Sequence, residues 1–449
     1  MVEEQGPRVI LEPVFSQWET ALREPRGNAQ ARAHFGLDVD RAVVMSGHQP
    51  MVFHGGILAK LIALDEAAKR TGAQAVWIVP DQDTFDASSD PGSIRLPMGS
   101  RESLQAQRVE LYIQDRAHTG VPTGVPTGSL PAMEIVGEAV EHESVGELAQ
   151  WLDQFGSMET LAQQFGYGVI EYACDRLGMV VPTIVFASQL MEVESIRAVI
   201  EKMIGDARRC VGLYNEAAEL FPAAGVRALT IEGDRIELPM WGMRAGEARV
   251  AIDTDNVGEF EFEELVPRGL LMSALCRMQL ADVFIHGLGG DVYDQISERW
   301  FGDWLGVELS PKAKVSADLR LDLGFGLGFG IDEQIDTATA IWKHQHSLHS
   351  PALVGAGDVQ RRKDELVLQI ETAPAKSDER DELYRALQAL LVAYREQYSG
   401  EIAAFGEKAA QAKVLESQLE LARDRTWAMV CFSQDELESL DRATREAMN

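Results

Sequence analysis

The segment 41–81 constrains the fold most strongly, because its hydrophobic pattern describes a strand, a helix and a second strand. The apolar run 43–45 ends at a serine and a glycine, which is typical of a short buried strand. Apolar residues then recur at spacings of three and four between 57 and 68, as along one face of a helix, and a second apolar run covers 75–79. The segment therefore predicts a right-handed βαβ unit, the building block of a parallel sheet.

A second segment, 267–305, repeats the order of strand, glycine-containing loop and helix. A helical pattern leads into the apolar run 283–285, which is followed by a tight glycine turn and by another helical pattern over 292–305. Two such units in one chain predict an α/β fold built on a parallel sheet.

The remaining pattern divides the chain into a leader at 1–40, an α/β core at 41–330 and a C-terminal helical region at 331–449. Two inserted segments interrupt the core, at about 98–145 and 226–252. The first contains a tandem VPTG repeat, whose Pro and Gly predict a surface loop. The second alternates between apolar and polar residues and predicts antiparallel hairpins beside the main sheet.

The C-terminal region has the pattern of long helices. From Ser377 to Asp424, apolar residues recur at alternating spacings of three and four, as in the seam of a coiled coil. Gly400 and Gly406 interrupt this seam, so one long helix and an antiparallel hairpin that turns near these glycines fit the pattern equally well. The apolar residues at 427–432 predict a final strand that returns to the sheet.

The charge of the chain restricts its partners. There are 41 Lys and Arg against 71 Asp and Glu, so the net charge is −30, which argues against sequence-independent binding of nucleic acid or anionic lipid. The four cysteines show no zinc-binding or disulfide spacing. No apolar stretch approaches the roughly 20 residues of a membrane span, and the acidic N-terminus lacks a signal peptide pattern, so we expect a cytoplasmic protein that acts on a small molecule.

The first candidate site is the loop between the first predicted strand and its helix. In open α/β sheets, ligands bind at the carboxyl ends of strands, where helix N-termini present free N–H groups. We expect the glycines to let a phosphate approach the backbone and the imidazoles and the lysine to contact the same anion. A helix-capping loop without a ligand is the equally supported alternative. The candidate residues are Gly47, His48, Gln49, His54, Gly55, Gly56 and Lys60.

Two further candidates follow the next strands of the pattern. The carboxylates Asp81, Asp83 and Asp86 could bind Mg²⁺, a ribose or a substrate amine, or they could be solvated loop residues. The glycine turn after 283–285 predicts a second anion-binding nest, although it matches neither the GxGxxG nor the P-loop motif. Its candidate residues are Arg268, His286, Gly287, Gly289, Gly290, Asp291 and Tyr293. The histidines at 344, 346 and 349 are interpreted as an exposed polar turn rather than as a metal site.

Taken together, these motifs resemble the bacillithiol biosynthesis cysteine-adding enzyme family. The shared features are a strand that ends in a Gly-Gln-Gln sequence, here Gly47-His48-Gln49, an aromatic and glycine-containing loop, and an acidic run after the second strand. A Pro-Arg-led helix before a glycine-rich loop and a C-terminal coiled coil also agree. The chain departs from the family at His48, near Asp83 and in the composition of the His286 loop, so a different small amine or amino acid is a reasonable substrate.

The resemblance implies a Rossmann-like core related to nucleotidylyltransferases and class I aminoacyl-tRNA synthetases, and a coiled coil that forms a homodimer. His54, Gly55 and Gly56 would take the place of the histidine-glycine nucleotide-binding signature of that superfamily. The implied chemistry is a ligase or nucleotidyl-transfer reaction that joins cysteine to a glucosamine-malate amine, with ATP or ADP and Mg²⁺ as cofactors.

We assign roles to the candidate residues on this basis. The catalytic set is His48, His54, Asp83 and His286. Cofactor binding is assigned to Gly47, Gln49, Gly55, Gly56, Lys60, Gly287, Gly289 and Gly290, and substrate binding to Asp81, Asp86, Arg268, Asp291 and Tyr293. A non-catalytic binding protein for a nucleotide or metabolite, and an interaction protein that works through the helical region, remain open as alternatives.

Overall fold

The structure is a computed structural model that describes residues 6–84, 93–98, 105–111, 122–124, 143–321 and 336–449, without the side chains of Glu110 and Asp291. The candidate Asp86 and most of the first inserted segment lie outside the described residues.

The described strands are β1 (Arg8–Glu12), β2 (Val43–Gly47), β3 (Gln74–Val79), β4 (Ser93–Met98), β5 (Gln105–Glu110), β6 (Thr183–Phe186), β7 (Ile231–Glu232), β8 (Arg235–Gly242), β9 (Val250–Asp253), β10 (Leu265–Pro267), β11 (Val283–His286) and β12 (Lys312–Asp318). The described helices are α1 (Phe15–Glu19), α2 (Ala29–His34), α3 (Gly55–Thr71), α4 (Glu143–Gln154), α5 (Leu161–Leu177), α6 (Glu194–Gly205), α7 (Ala207–Leu220), α8 (Gly269–Gln279), α9 (Gly290–Leu305), α10 (Thr337–Ser347), α11 (Gly357–Thr372), α12 (Asp378–Gln397), α13 (Ser399–Arg423) and α14 (Gln434–Ala447). Short 3₁₀ turns connect several of them.

The main sheet has the order β1-β12-β11-β2-β3-β6. The five strands from β12 to β6 are parallel, and β1 pairs antiparallel with β12 at one edge. From β2 the chain adds β3 and β6 on one side and later adds β11 and β12 on the other, so the direction of winding reverses between β2 and β11. The predicted α/β fold with a mostly parallel sheet is therefore confirmed.

Hydrophobic residues on the two faces of this sheet build two separate cores. In β2, Val43 and Met45 pack into one cluster, whereas Val44 between them packs into the other. This alternation follows from the period of two along a strand, and it shows that helices cover the sheet on both faces.

The leader contributes a strand that the sequence pattern did not predict. β1 forms the antiparallel edge of the main sheet, with Ile10 opposite Ser316 in the register. Its apolar run of three residues is short and flanked by charged residues, and only its pairing with a strand about 300 residues away makes it part of the sheet. The second inserted segment does form the predicted antiparallel strands, because β7, β8 and β9 pair with one another and β10 joins them.

The predicted final strand at 427–432 is wrong. Met429–Cys431 form a 3₁₀ turn, and the only pairing is a single antiparallel bridge between Ala428 and His54. Trp427 and Val430 are buried in the core under α3. The apolar run thus reflects burial of a compact turn, which hydrophobicity alone does not distinguish from a buried strand.

The C-terminal helices form an antiparallel arrangement, but the chain reverses at 373–377, between α11 and α12, and not near Gly400 or Gly406 as the hairpin alternative predicted. α11 packs along α12 and α10 packs along α13. The hydroxyl of Thr337 donates to Ala412 O at 3.3 Å and that of Tyr394 to Ser347 O at 2.6 Å, which fixes the antiparallel direction.

Gly406 has a packing role in this arrangement. A Cβ atom at this position would lie 3.0 Å from Cε1 of His344, so the glycine allows the close approach of α10 to α13. The predicted polar turn of three histidines is partly helical, because His344 and His346 belong to α10 and His349 follows it. No helix in the described part of the chain combines the length and the hydrophobicity needed to cross a lipid bilayer.

Candidate functional site

A single cleft of about 720 Å³ opens at the carboxyl ends of β2, β3 and β11. The N-terminal ends of α3, α8 and α9 all contribute to its wall. In α3 the N–H groups of Gly56 and Ile57 already donate to Nδ1 and O of His54. The sequence candidates that line it are Gly47, His48, Gln49, His54, Gly56, Lys60, Asp83, Arg268, His286, Gly287, Gly289, Gly290 and Tyr293. The structure thus brings the loops before α3 and α9 together with the loop after β3.

Two predicted site residues lie outside the cleft wall. Both carboxylate oxygens of Asp81 accept hydrogen bonds from Ser188, at 3.0 Å from its N–H and 2.5 Å from its hydroxyl. Burial raises the pKa of Asp81 to about 6, and these hydrogen bonds oppose that rise. Asp81 therefore links the end of β3 to the turn after β6. Because Ser188 occupies both of its oxygens, Asp81 has no free carboxylate oxygen for the predicted contact with substrate or Mg²⁺.

Gly55 does not provide the predicted approach for a phosphate. A Cβ atom at this position would lie 2.6 Å from Cβ of Leu319, so the glycine makes room for the chain after β12. Gly56 lines the cleft, but its missing side chain leaves room for Ser316 and Arg425. The predicted role of Asp291 concerns a side chain that lies outside the described atoms.

His54 is the N-cap of α3. Its Nδ1 accepts a hydrogen bond from the N–H of Gly56 at 3.0 Å, so in the neutral ring the proton lies on Nε2. Burial, together with the nearby charges of Arg425 and Lys60, lowers the pKa of His54 to about 4. At neutral pH the ring is therefore an uncharged hydrogen-bond donor at Nε2.

Lys60 is a buried cation in the wall of the cleft. Its side chain is on the inner face of α3, the residue is 5% exposed, and Nζ donates to Gly47 O at 2.6 Å. Burial lowers the pKa of Lys60 to about 7. Within the described residues it forms no ion pair with a carboxylate, so an anion in the cleft would be its first charged partner.

His48 has an unsatisfied ring nitrogen. Its Nδ1 is buried without a hydrogen-bond partner among the described residues. Burial and the nearby Lys60 and His54 hold the pKa of His48 well below its usual range. A buried polar atom without a partner costs about 1–3 kcal/mol, so this nitrogen favours a ligand that supplies a hydrogen bond.

The sequence analysis missed several cleft residues, among them Trp241, Arg249 and Arg425. The guanidinium carbon of Arg249 lies 4.4 Å from the ring centre of Trp241, and that of Arg268, which was predicted, lies 4.1 Å from the same ring. Arg425, which follows α13, donates to the hydroxyl of Ser316 at 2.6 Å. The alternation of 226–252 indicated strands but not that Trp241 and Arg249 face the cleft, and the sequence around Arg425 carries no recognisable signal.

His286 is backed by a buried carboxylate. Its Nε2 lies 2.5 Å from Oδ2 of Asp294, which also accepts a hydrogen bond from Arg277 at 2.8 Å. The hydroxyl of Ser273 lies 3.0 Å from the other oxygen of Asp294. Burial would raise the pKa of Asp294, but the charges of His286 and Arg277 outweigh it and hold that pKa below its ordinary value.

The donor set of the cleft fits phosphate groups better than a protein-bound metal. Among the described residues, Asp83 is the one carboxylate in the wall, and no three metal-ligating side chains come together. Mg²⁺ prefers oxygen ligands, so the described residues do not form a site for it by themselves. Lys60, His54, Arg425 and the N-termini of α8 and α9, in contrast, can all donate to phosphoryl oxygens. Comparison of the chain with protein-family models and with curated proteins finds no match.

Proposed function

We propose that the cleft binds the phosphate groups of ATP or ADP and that the protein is a ligase or nucleotidyl-transfer enzyme. In this proposal it joins an amino acid similar to cysteine to a small metabolite that carries an amine. The observation that carries the proposal is the concentration of cationic and N–H donors, from two βα loops and from Arg425, in one cleft of a chain with net charge −30. Arg425, Arg249 and Arg268 pair with the carboxylates of Asp318, Asp83 and Glu237. Lys60, which has no ion pair among the described residues, is the cation that an anionic ligand would neutralise.

The order of the parallel strands supports a Rossmann-like interpretation of the core. Numbered along the chain, β6-β3-β2-β11-β12 has the order 3-2-1-4-5, which is that of doubly wound nucleotide-binding sheets. The cleft lies at the reversal between β2 and β11, where such sheets bind their ligands. This topology agrees with what the resemblance to the cysteine-adding family implies.

The geometry suggests how the chain's own residues would act. A bound nucleotide would supply the activating group for the carboxylate of the amino acid. His54 Nε2–H and Lys60 Nζ would donate to phosphoryl oxygens, and because the site is preformed, little reorganisation would accompany charge development there. Arg268 and Arg249, on the opposite side with Trp241, would hold the anionic part of the second substrate.

Isothermal titration calorimetry with ATP and with ADP tests nucleotide binding directly. We expect wild-type protein to bind, with or without Mg²⁺, and both Lys60→Met and His54→Ala to weaken binding at least about tenfold, since each loses a charge-assisted or buried hydrogen bond to phosphate. Arg442→Met removes an exposed arginine of α14 and serves as the control. Absence of binding by the wild type, or unchanged binding in both cleft variants, would remove the nucleotide from the proposal.

Turnover requires a second assay. Incubation with ATP, cysteine and glucosamine-malate or related amines, followed by mass spectrometry, should reveal an amide product together with ADP or AMP. Nucleotide binding without any product across a panel of amines would instead favour the non-catalytic binding protein.

A further inference from the structure

The surroundings of His286 specify where its protons lie. Oδ2 of Asp294 and Nε2 of His286 are 2.5 Å apart, and Arg277 donates to the same oxygen. The contact lacks the angle of a hydrogen bond, but because two lone pairs at this distance would repel each other and Arg277 keeps Asp294 ionised, the proton lies on Nε2. The neutral ring then has a free lone pair on Nδ1.

Gly290 packs against the Nδ1 edge of the ring, and its missing side chain makes room for the imidazole. A Cβ atom on Gly290 would lie 2.5 Å from Nδ1, so any other residue there would displace or block the ring. No described residue forms a hydrogen bond with Nδ1, and both His286 and Gly290 line the cleft. The loop therefore holds a lone pair at the edge of the cleft.

Arg277 fixes the carboxylate that orients this ring. Its side chain is 1% exposed, and besides Asp294 it donates to Ser310 O, at 2.9 Å from Nε, and to Glu298, at 2.7 Å from Nη2. With Ser273 on its other oxygen, Asp294 has a hydrogen-bond partner on both sides. Such a network keeps the carboxylate ionised and its position fixed.

From this geometry we infer that His286 Nδ1 is the general base for the attacking amine and that Asp294 is the positioning residue that sets its tautomer. The inference deepens the proposed function and rests on it. The amine nitrogen forms a bond to the acyl carbon of a phosphoryl- or nucleotidyl-activated carboxylate and gives its proton to Nδ1. The bond from the acyl carbon to the phosphate oxygen breaks, and the electron pair leaves with phosphate or nucleotide. The imidazolium is then stabilised by Asp294.

The tautomer can be measured without any substrate. Full-length protein with ¹⁵N-labelled histidine gives distinct resonances for protonated and unprotonated ring nitrogens, and the signals of His286 are those missing from His286→Gln. We expect an unprotonated Nδ1 and a protonated Nε2 in the wild type, and loss of this state in Asp294→Asn. Asp303→Asn, on the exposed side of α9, should leave the His286 signals unchanged. A proton on Nδ1 in the wild type would overturn the inference, even if Asp294→Asn failed to fold.

Kinetics separate this inference from the proposed function. In the amide-forming assay, Asp294→Asn should lower kcat by about 10²–10⁴-fold while KM stays near the wild-type value, as expected when only proton transfer is impaired. An equal kcat in the variant and the wild type would refute the role of Asp294 but leave the ligase intact. The expected tautomer in a protein that forms no amide would refute the ligase and leave the Asp294–His286 pair as a base for another reaction.

Discussion

His54 and His286 occupy comparable places in the fold, because each lies between a parallel strand and the glycines that begin a helix. Their surroundings differ. His54 uses Nδ1 to cap α3, and its charged neighbours are Arg425, Lys60 and Asp424. His286 contacts Asp294 through Nε2. The surroundings of His54 thus hold two cations and one carboxylate, whereas His286 is backed by an anion; we call these the cationic and the anionic side of the cleft.

The difference teaches that the role of a loop histidine is decided by the charged residues packed against it, whether these are distant or close in sequence. Arg425 is 371 residues from His54, whereas Asp294 is on the helix that follows His286. A cationic environment keeps His54 neutral and makes it a donor toward anions, whereas a carboxylate behind His286 favours a base. Similar glycine-histidine loops therefore serve different chemical purposes.

The largest effect is expected on the anionic side. Asp294→Ala should lower the free energy of unfolding by about 3–5 kcal/mol, because it removes the buried one of the two carboxylates that pair with the buried Arg277. Urea denaturation followed by tryptophan fluorescence measures this loss. Asp303→Ala, which removes an exposed carboxylate from the same helix, should change stability by less than about 1 kcal/mol. Equal losses in the two variants would contradict a structural and electrostatic role for the buried network.

The cationic side should respond in the opposite direction. Because the pKa of Lys60 falls from 10.5 in the unfolded chain to about 7 in the folded protein, the unfolded chain binds more protons between these values and stability rises with pH. Lys60→Met removes this penalty and should stabilise the free protein by as much as about 4 kcal/mol at pH 7, since one pKa unit corresponds to about 1.4 kcal/mol.

Denaturation at several pH values tests this expectation. The advantage of Lys60→Met over the wild type should be greatest at and below pH 7 and should shrink as the pH approaches 10.5. A gap that stayed constant across this range would show that packing rather than charge is responsible. Saturating ATP should narrow the gap, because only the wild type gains the bound anion as a partner.

The sequence was sufficient for the parts of the fold that have strong local periodicity. The unit β2–α3–β3 and the segment around β11 were predicted because buried parallel strands are continuous apolar runs and amphipathic helices repeat every three to four residues. The strand β1 was missed and the turn at 427–432 was misassigned, since both depend on tertiary contacts. The reversal at 373–377 was missed because glycine was interpreted as a turn signal, although Gly406 serves helix packing.

The same limit applies to the site. Loop residues at the ends of strands could be grouped from the sequence, because a parallel sheet brings its carboxyl ends to one edge. Arg249 and Arg425 come from an antiparallel sheet and from the end of a long helix, and only the three-dimensional structure shows that they reach this edge. The sequence alone does not distinguish the roles of Asp81 and Asp83. In the structure Asp81 accepts a hydrogen bond from Ser188, whereas Asp83 lines the cleft.

Removing Arg425 tests how far its positive charge lowers the pKa of His54. Arg425→Met eliminates the cation that, after burial, most lowers the pKa of His54, so that pKa should rise toward its ordinary value in an NMR titration. The affinity for ATP should fall about tenfold with the loss of one charge-assisted hydrogen bond. The exposed Arg442→Met should change neither quantity. An unchanged titration of His54 in Arg425→Met would show that burial alone sets its protonation.

The smallest effect distinguishes the two tasks assigned to His54. As the N-cap of α3 it accepts a hydrogen bond from Gly56, and asparagine can replace it in that task, whereas alanine cannot. His54→Ala should therefore be about 1 kcal/mol less stable than His54→Asn in urea denaturation. Both variants lack the imidazole Nε2–H, so both should lose affinity for ATP to a similar extent in calorimetry. If His54→Asn were as stable as the wild type and also bound ATP equally well, the histidine would be only a helix cap. The difference between the two sides of the cleft would then rest on Lys60 and Arg425 alone.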